Sequence, residues 1–212
     1  MHSKSIQEAV LIKEFVTTPA LERSIGKSFR FLSPNTWTTL SLFTGFFAFW
    51  LIIDGYIVVG MIVFLLSTLM DMIDGKVARY TNQATPLGAF WDGTVDRVVD
   101  MLLILAFFFL DFPVQPLYLH IFLFLLLFFT LMPPFIVAYA NHRLAVPDPT
   151  EKVVWRFAFR PEYIFLFLLV ILLNKYSVNA SFYILCAGFV LMLATCIQAT
   201  ILVFVKSANY KL

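Results

Sequence analysis

Between Arg30 and Asp54, between Asp54 and Asp71, between Asp111 and Arg143, and between Lys175 and Lys206, the chain carries no Asp, Glu, Lys or Arg. A bilayer crossing needs about 20 consecutive, mostly apolar residues. Runs of this length and number are what a chain uses to span lipid repeatedly. Composition agrees: 61% of the 212 residues are hydrophobic and 13% charged, against roughly 45–50% and about 25% in an average globular domain. The same figures exclude disorder, collagen, a coiled coil and a disulfide scaffold. A net charge of +2 is too small to argue for nucleic acid. The two cysteines, Cys186 and Cys196, lie about 15 Å apart along one expected helix, too far to pair within it.

The fold class predicted is an all-α integral membrane protein with six transmembrane helices preceded by an interfacial amphipathic helix. The spans are expected at Asn35–Ile53, Tyr56–Met72, Leu87–Leu110, Pro116–Ala140, Glu162–Asn174 with its flanks, and Val178–Val205. Turns are expected at Asp54-Gly55, Asp111 to Pro116, Pro147 to Pro149, and Asn174-Lys175-Tyr176. Pro133-Pro134 should kink the fourth span. Residues 1–32 form a polar N-terminal segment without the pattern of a cleaved signal peptide, and 33–212 form one membrane domain. Leu21, Ile25, Phe29 and Leu32 recur at helical spacing with Arg23, Lys27 and Arg30 between them, the pattern of a helix lying in the headgroup layer. Lys4, Lys13, Arg23, Lys27 and Arg30 precede the first span. Arg143, Lys152, Arg156 and Arg160 lie between the fourth and fifth, and Lys206 and Lys211 follow the last. The opposite loops carry only Lys175. The excess of cations on one side puts both termini, and the loop between spans four and five, on the cytoplasmic face of the cell membrane.

Five of the 13 acidic residues crowd the join of spans two and three: Asp71, Asp74, Asp92, Asp96 and Asp100. Carboxylates in or beside a span are costly and mark function by default. Asp71 and Asp74 are three apart, and Asp92, Asp96 and Asp100 step by four, so each set shares a helix face. The two faces can meet at the cytoplasmic boundary. Like charges that close repel, so something cationic should sit between them. An all-carboxylate site selects a hard ion such as Mg²⁺, Mn²⁺ or Ca²⁺ over zinc. His2, His120 and His142 are scattered away from it. Gly75 and Gly88 give close backbone approach, and Lys76 and Arg79 supply charge for a diphosphate. The structural alternative is a buried ion-pair network, Asp71 with Arg79 or Asp96 with Arg97. Five carboxylates against three nearby cations leave excess negative charge for it to explain.

The run Asp71-Met-Ile-Asp74-Gly75-Lys-Val-Ala78-Arg79, then eight residues, then Gly88-Ala-Phe-Trp-Asp92-Gly-Thr-Val-Asp96, resembles the signature of the CDP-alcohol phosphotransferase family. That signature is DxxDGxxAR, eight residues, GxxxDxxxD, and every fixed position is matched. Ser33-Pro34-Asn35-Thr36-Trp37-Thr38 is similar to the family's PNxxT start of the first span. The resemblance implies a homodimer of six-helix chains. It also implies transfer of a phosphate-linked alcohol, here a lipid phosphatidyl-type group in phospholipid biosynthesis, from a CDP-alcohol to the hydroxyl of a polar acceptor, releasing CMP. Mg²⁺ or Mn²⁺ would be held by Asp71, Asp74, Asp92 and Asp96, with Asp96 as general base. Asn35, Thr38, Asp71, Gly75, Ala78 and Arg79 would bind the nucleotide.

Asp96-Arg97-x-x-Asp100 and the Arg160-Pro161-Glu162 segment resemble the inositol branch of the family, the phosphatidylinositol-phosphate and archaetidylinositol-phosphate synthases. The resemblance offers Arg97, Asp100, Arg143 and Arg160 as acceptor contacts and inositol phosphate or inositol as acceptor. Three positions depart from the branch: Asn141 and Ala199 stand where it has Lys and Arg, and Phe159 replaces an acid. Another head group, or a CDP-inositol donor, stays open. A metal- or proton-coupled transporter is the alternative from another class. Against it, the acids cluster at one end and no internal repeat is visible.

Overall fold

The computed structural model describes residues 19–146 and 158–210, and every regular element among them is helical. Helix α1 spans Pro19–Ser28, α2 Pro34–Ile53 and α3 Ile57–Tyr80. Helix α4 spans Pro86–Ala106 and runs into a 3₁₀ turn, Phe107–Phe109. Helices α5, α6 and α7 cover Pro116–His142, Arg160–Asn174 and Val178–Tyr210.

Local chemistry sets these boundaries. Ser33 caps α2, its Oγ accepting from the Thr36 N–H at 3.3 Å, with Pro34 next in the first turn. Thr85 does the same for α4 through the Gly88 N–H at 3.0 Å, followed by Pro86. A capping oxygen satisfies a free first-turn donor, and proline there loses no helical bond. Gly55, at φ 88°, turns the chain between α2 and α3, a backbone state open to glycine at little cost. Asn82, at φ 55°, follows the end of α3. At α6 the Phe159 N–H donates to Glu162 Oε2 at 3.0 Å, half of a capping box.

Several boundaries differ from the sequence expectation. Helix α3 runs two turns past Met72, because nothing before Thr81 and Asn82 breaks it; Gly75 is tolerated inside. The DxxDGxxAR run is therefore wholly helical. Helix α1 stops at Ser28, and Phe29 and Phe31 instead pack edge-on against Trp37. The Trp37 Nε1–H donates to the Phe29 carbonyl at 3.0 Å. Helix α5 runs through Pro133 and Pro134 as one element. Lys4, Lys13, the turn from Pro147 to Pro149, Lys152, Arg156 and Lys211 lie outside the described residues.

Ile52, Phe64, Leu103, Phe107, Leu123, Phe167, Ile171, Leu185 and Met192 are buried in one core shared by α2 to α7. The outside is apolar too. Phe43, Phe124, Phe165 and Phe204 are 65%, 62%, 64% and 73% exposed. An apolar exterior around an apolar core is stable in lipid, not in water. Among the described residues, four helices are long and apolar enough to cross a bilayer: α2, α3, α5, and α7 over Val178–Ser207. Helix α4 carries Asp92, Asp96, Arg97 and Asp100. Helix α6 is 15 residues long, about 22 Å of rise. The protein is thus an all-helical membrane protein. Helices α2 and α3 cross closely at Gly60, where a Cβ would stand 2.5 Å from Ile52 Cγ1 and 2.9 Å from the Ala48 carbonyl.

Candidate active site

Helices α3 and α4 bring their acidic faces together. One carboxylate oxygen from each of Asp71, Asp74 and Asp92 lies within 4.8 Å of the others. Asp74 is 4% exposed, and its Oδ2 accepts the Thr38 hydroxyl of α2 at 2.5 Å. Asp71 Oδ1 is buried with no hydrogen-bond partner among the described residues. Three converging carboxylates, one with an unused buried oxygen, form a donor set that fits a hard divalent cation.

The cation expected between the two acidic faces is Arg160, the first residue of α6. Its Nη1 pairs with both Asp71 and Asp96, and its Nε donates to Asp100 Oδ1 at 3.1 Å. The Tyr163 hydroxyl donates to Asp100 Oδ2 at 2.7 Å. Arg97 lies 3.3 Å from Asp96 Oδ2 and 3.3 Å from Asp100 Oδ2. Asp100 is fully enclosed, with its carboxylate occupied by these three side chains. The two guanidinium groups offset only part of the charge of five carboxylates, so the site retains a demand for further cations. Arg79 does not pair with Asp71; it meets Glu22 of α1 at 2.7 Å.

Two cavities flank the triad. The first, about 190 Å³, is lined by Asn35, Thr38, Asp74, Gly75, Ala78 and Arg79, among others. It gathers every residue assigned to the nucleotide from the sequence except Asp71. A Cβ on Gly88 would stand 3.2 Å from Asn35 Oδ1, narrowing the same cavity. The second, about 480 Å³, has Asp71, Asp92, Asp96 and Arg160 at one end and apolar walls from α3 and α6. Of the acceptor candidates, Arg160 borders this cavity, as does the expected base Asp96, whereas Arg97 and Asp100 are not part of its lining. Arg143 stands apart at the end of α5, its Nε donating to the Tyr139 hydroxyl at 3.0 Å over the ring.

Comparison with known proteins agrees with the motif. A model of the CDP-alcohol phosphatidyltransferase family matches residues 31–204. The chain belongs to that family. An archaetidylinositol phosphate synthase of Aeropyrum pernix is 44% identical over 45 residues, 21% of this chain and 23% of that protein. An uncharacterised protein of Aquifex aeolicus is 42% identical over 72 residues, 34% and 36% of the two chains. The matched stretches thus span about a quarter and a third of these relatives. Among solved structures, Mycobacterium tuberculosis phosphatidylinositol phosphate synthase with CDP-DAG bound superposes with a TM-score of 0.72 at 23% identity. That match covers 87% of this chain and 94% of that one. The same enzyme with manganese and citrate gives 0.69 at 23% identity, covering 87% and 88%. These likenesses establish a shared fold.

Tyr163 and Glu22 escaped the sequence reading. Tyr163 stands one turn from Arg160 on α6, and that spacing was its available signal. Glu22 had none, because its contact joins α1 to the far end of α3.

Proposed function

We propose that this protein transfers the phosphate-linked lipid group of a CDP-lipid to a hydroxyl of an inositol-type polyol, releasing CMP, at the cytoplasmic face of a membrane. The observation carrying the reading is the Asp71–Asp74–Asp92 triad between a smaller cavity lined by Asn35, Thr38 and Arg79 and a larger, mostly apolar one. The CDP-DAG and manganese held by the M. tuberculosis enzyme are consistent with it. On this reading residues 33–212 are the catalytic domain. Helices α2 to α7 all cross the bilayer, with the charged face of α4 turned inward; α1 lies in the headgroup layer, both termini are cytoplasmic, and the enzyme is a homodimer.

Bound Mg²⁺ or Mn²⁺ would neutralise the donor diphosphate and the departing CMP. The remaining work falls to the chain. Asn35, Thr38, Gly75, Ala78 and Arg79 hold the cytidine end, and Asp71, Asp74 and Asp92, with Asp96 beside them, are the metal ligands. The acceptor oxygen attacks the phosphorus that bears the lipid. The bond from that phosphorus to the bridging oxygen breaks, and CMP leaves with the electron pair. Asp96, which borders the larger cavity, takes the hydroxyl proton; a base so placed contributes typically 10²–10⁴-fold. Arg97 and Arg160 orient Asp96.

Ala199 is buried against Ala140 and Val146, with Ile136 and Leu202 beside them. A corner so apolar favours inositol over its phosphate. The test is CMP release by purified protein with Mg²⁺ and a CDP-lipid, comparing no acceptor, inositol, inositol-1-phosphate, glycerol-3-phosphate and serine. Inositol-dependent CMP is expected, abolished by EDTA. CMP release with another acceptor alone would overturn the inositol assignment, and none with any of them would overturn the donor assignment.

A further inference from the structure

The catalytic account leaves one buried cation unused. Lys76 is 2% exposed, and its Nζ has no hydrogen-bond partner among the described residues. An ammonium enclosed without a hydrogen-bonded anion is costly, so its retention calls for an anion that arrives. Lys76 lies on the last turns of α3, where α1 closes over it. Gly26 makes that closure possible: a Cβ there would stand 2.9 Å from the Lys76 carbonyl and 2.5 Å from Tyr80 Cβ. The charged groups that reach Lys76 are Glu22 of α1 and Arg79, and these two already pair with each other at 2.7 Å. Two cations thus share one carboxylate at this point.

The position of Lys76 indicates which anion. Leu65, Leu69, Met72 and Lys76 fall on one stripe of α3 at helical spacing, and all four border the 480 Å³ cavity. Ile164, Phe165 and Leu168 of α6 border it as well. Leu65 and Leu69 are each 41% exposed and Phe165 is 64% exposed, so the groove opens sideways to lipid. It is apolar over most of its length, and its polar end is bordered by Lys76 together with Arg79, Arg160 and the acidic triad. A hydrocarbon chain with a phosphate ester at its head matches that sequence of surfaces.

We infer that Lys76 is the phosphate-reading residue of the lipid subsite: it takes the lipid-side phosphate of the donor at the head of the α3–α6 groove, with Glu22 as its resting counter-charge. The inference rests on the CDP-lipid reading above and adds to it a specificity residue at a variable position of the family signature.

The test is lipid retention by the purified full chain in detergent, measured by native mass spectrometry, which needs no turnover. The probes are phosphatidic acid, diacylglycerol of the same chains, and glycerol-3-phosphate. Wild type is expected to retain phosphatidic acid at least ten-fold over either other probe, and excess CDP-lipid should displace it. Lys76→Met should abolish the preference, Lys76→Arg should keep it, and Glu22→Gln should strengthen it. Lys175→Met, at the far end of the molecule, should change nothing. An undiminished preference in Lys76→Met, or phosphatidic acid that CDP-lipid does not displace, would overturn the inference. Equal retention of glycerol-3-phosphate would also overturn it, as it would mean that free phosphate suffices. If no acceptor yields CMP while the phosphate preference follows Lys76, the donor reading fails and the lipid-phosphate site stands.

Discussion

Replacing Arg160 by Met keeps the aliphatic stem and removes the guanidinium that joins α6 to α3 and α4. The consequence differs for each carboxylate. Asp100 keeps Tyr163 and Arg97, and Asp96 keeps Arg97. Asp71 loses its only ion-pair partner among the described residues, and its other oxygen is already unpartnered. Removing one member of a buried ion pair costs 3–5 kcal/mol. The lower end applies here, about 3 kcal/mol, because Asp71 and Asp96 retain 16% and 17% side-chain exposure. For a chain of this size that corresponds to a fall in Tm of roughly 6–12 °C. A divalent ion at the triad would recover part of the loss by taking up Asp71. The assay is thermal unfolding in detergent, read by tryptophan fluorescence with EDTA and with Mg²⁺. The fall should be larger in EDTA, and turnover should drop with every acceptor alike. A metal-free Tm within 2 °C of wild type would refute the clamp. A KM rise confined to phosphorylated acceptors would return Arg160 to the role of an acceptor contact.

Asp96→Asn should abolish CMP release while leaving metal-dependent CDP-lipid binding largely intact; wild-type turnover in that variant would remove Asp96 from proton transfer. Thr38→Val deletes the 2.5 Å bond to buried Asp74, a charge-assisted contact worth about 1.5–3 kcal/mol. It should weaken Mg²⁺ activation by roughly ten-fold or more, and an unchanged Mg²⁺ titration would show that Thr38 does not orient Asp74. Gly60→Ala gains about 1 kcal/mol of helix propensity but drives a methyl toward the Ala48 carbonyl, and overpacking costs about 1–3 kcal/mol. A lower Tm is expected, since a backbone oxygen cannot rotate away; a raised Tm would mean that the α2–α3 crossing is looser than its geometry implies.

Much of this site was legible because its information is local. Spacings of three and four put the carboxylates on two helix faces, and a short polar join made those helices neighbours. The need for a cation between them followed from Coulomb repulsion, but its identity did not. Arg160 lies far along the chain, and nothing in its neighbourhood says that it faces Asp71 rather than a substrate. Proline at the second position and Glu162 at the third fit a helix start, and the Arg-Pro-Glu run in part serves as one. Hydropathy misplaced the end of α3: residues after Met72 are too polar for a lipid-facing span, yet they continue the helix because their polar groups face the site.

The arrangement ties the fold to the chemistry at one residue. Helix α6 is short, and its outer face is apolar like its inner one, so hydrophobic burial alone sets its depth in the membrane loosely. Arg160 removes that freedom. Its guanidinium reaches carboxylates of both acidic helices, while Glu162 holds the Phe159 N–H and starts the helix there. A shift of α6 by one turn, about 5.4 Å, would strand Arg160 in lipid and leave Asp71 unpaired. The charges that would bind a cation also fix the register of the helix that completes their cavity. Loss of Arg160 should therefore loosen α6 before it loosens α2 or α3. Hydrogen exchange resolved by helix can see that order, and uniform loosening of all the helices would contradict it.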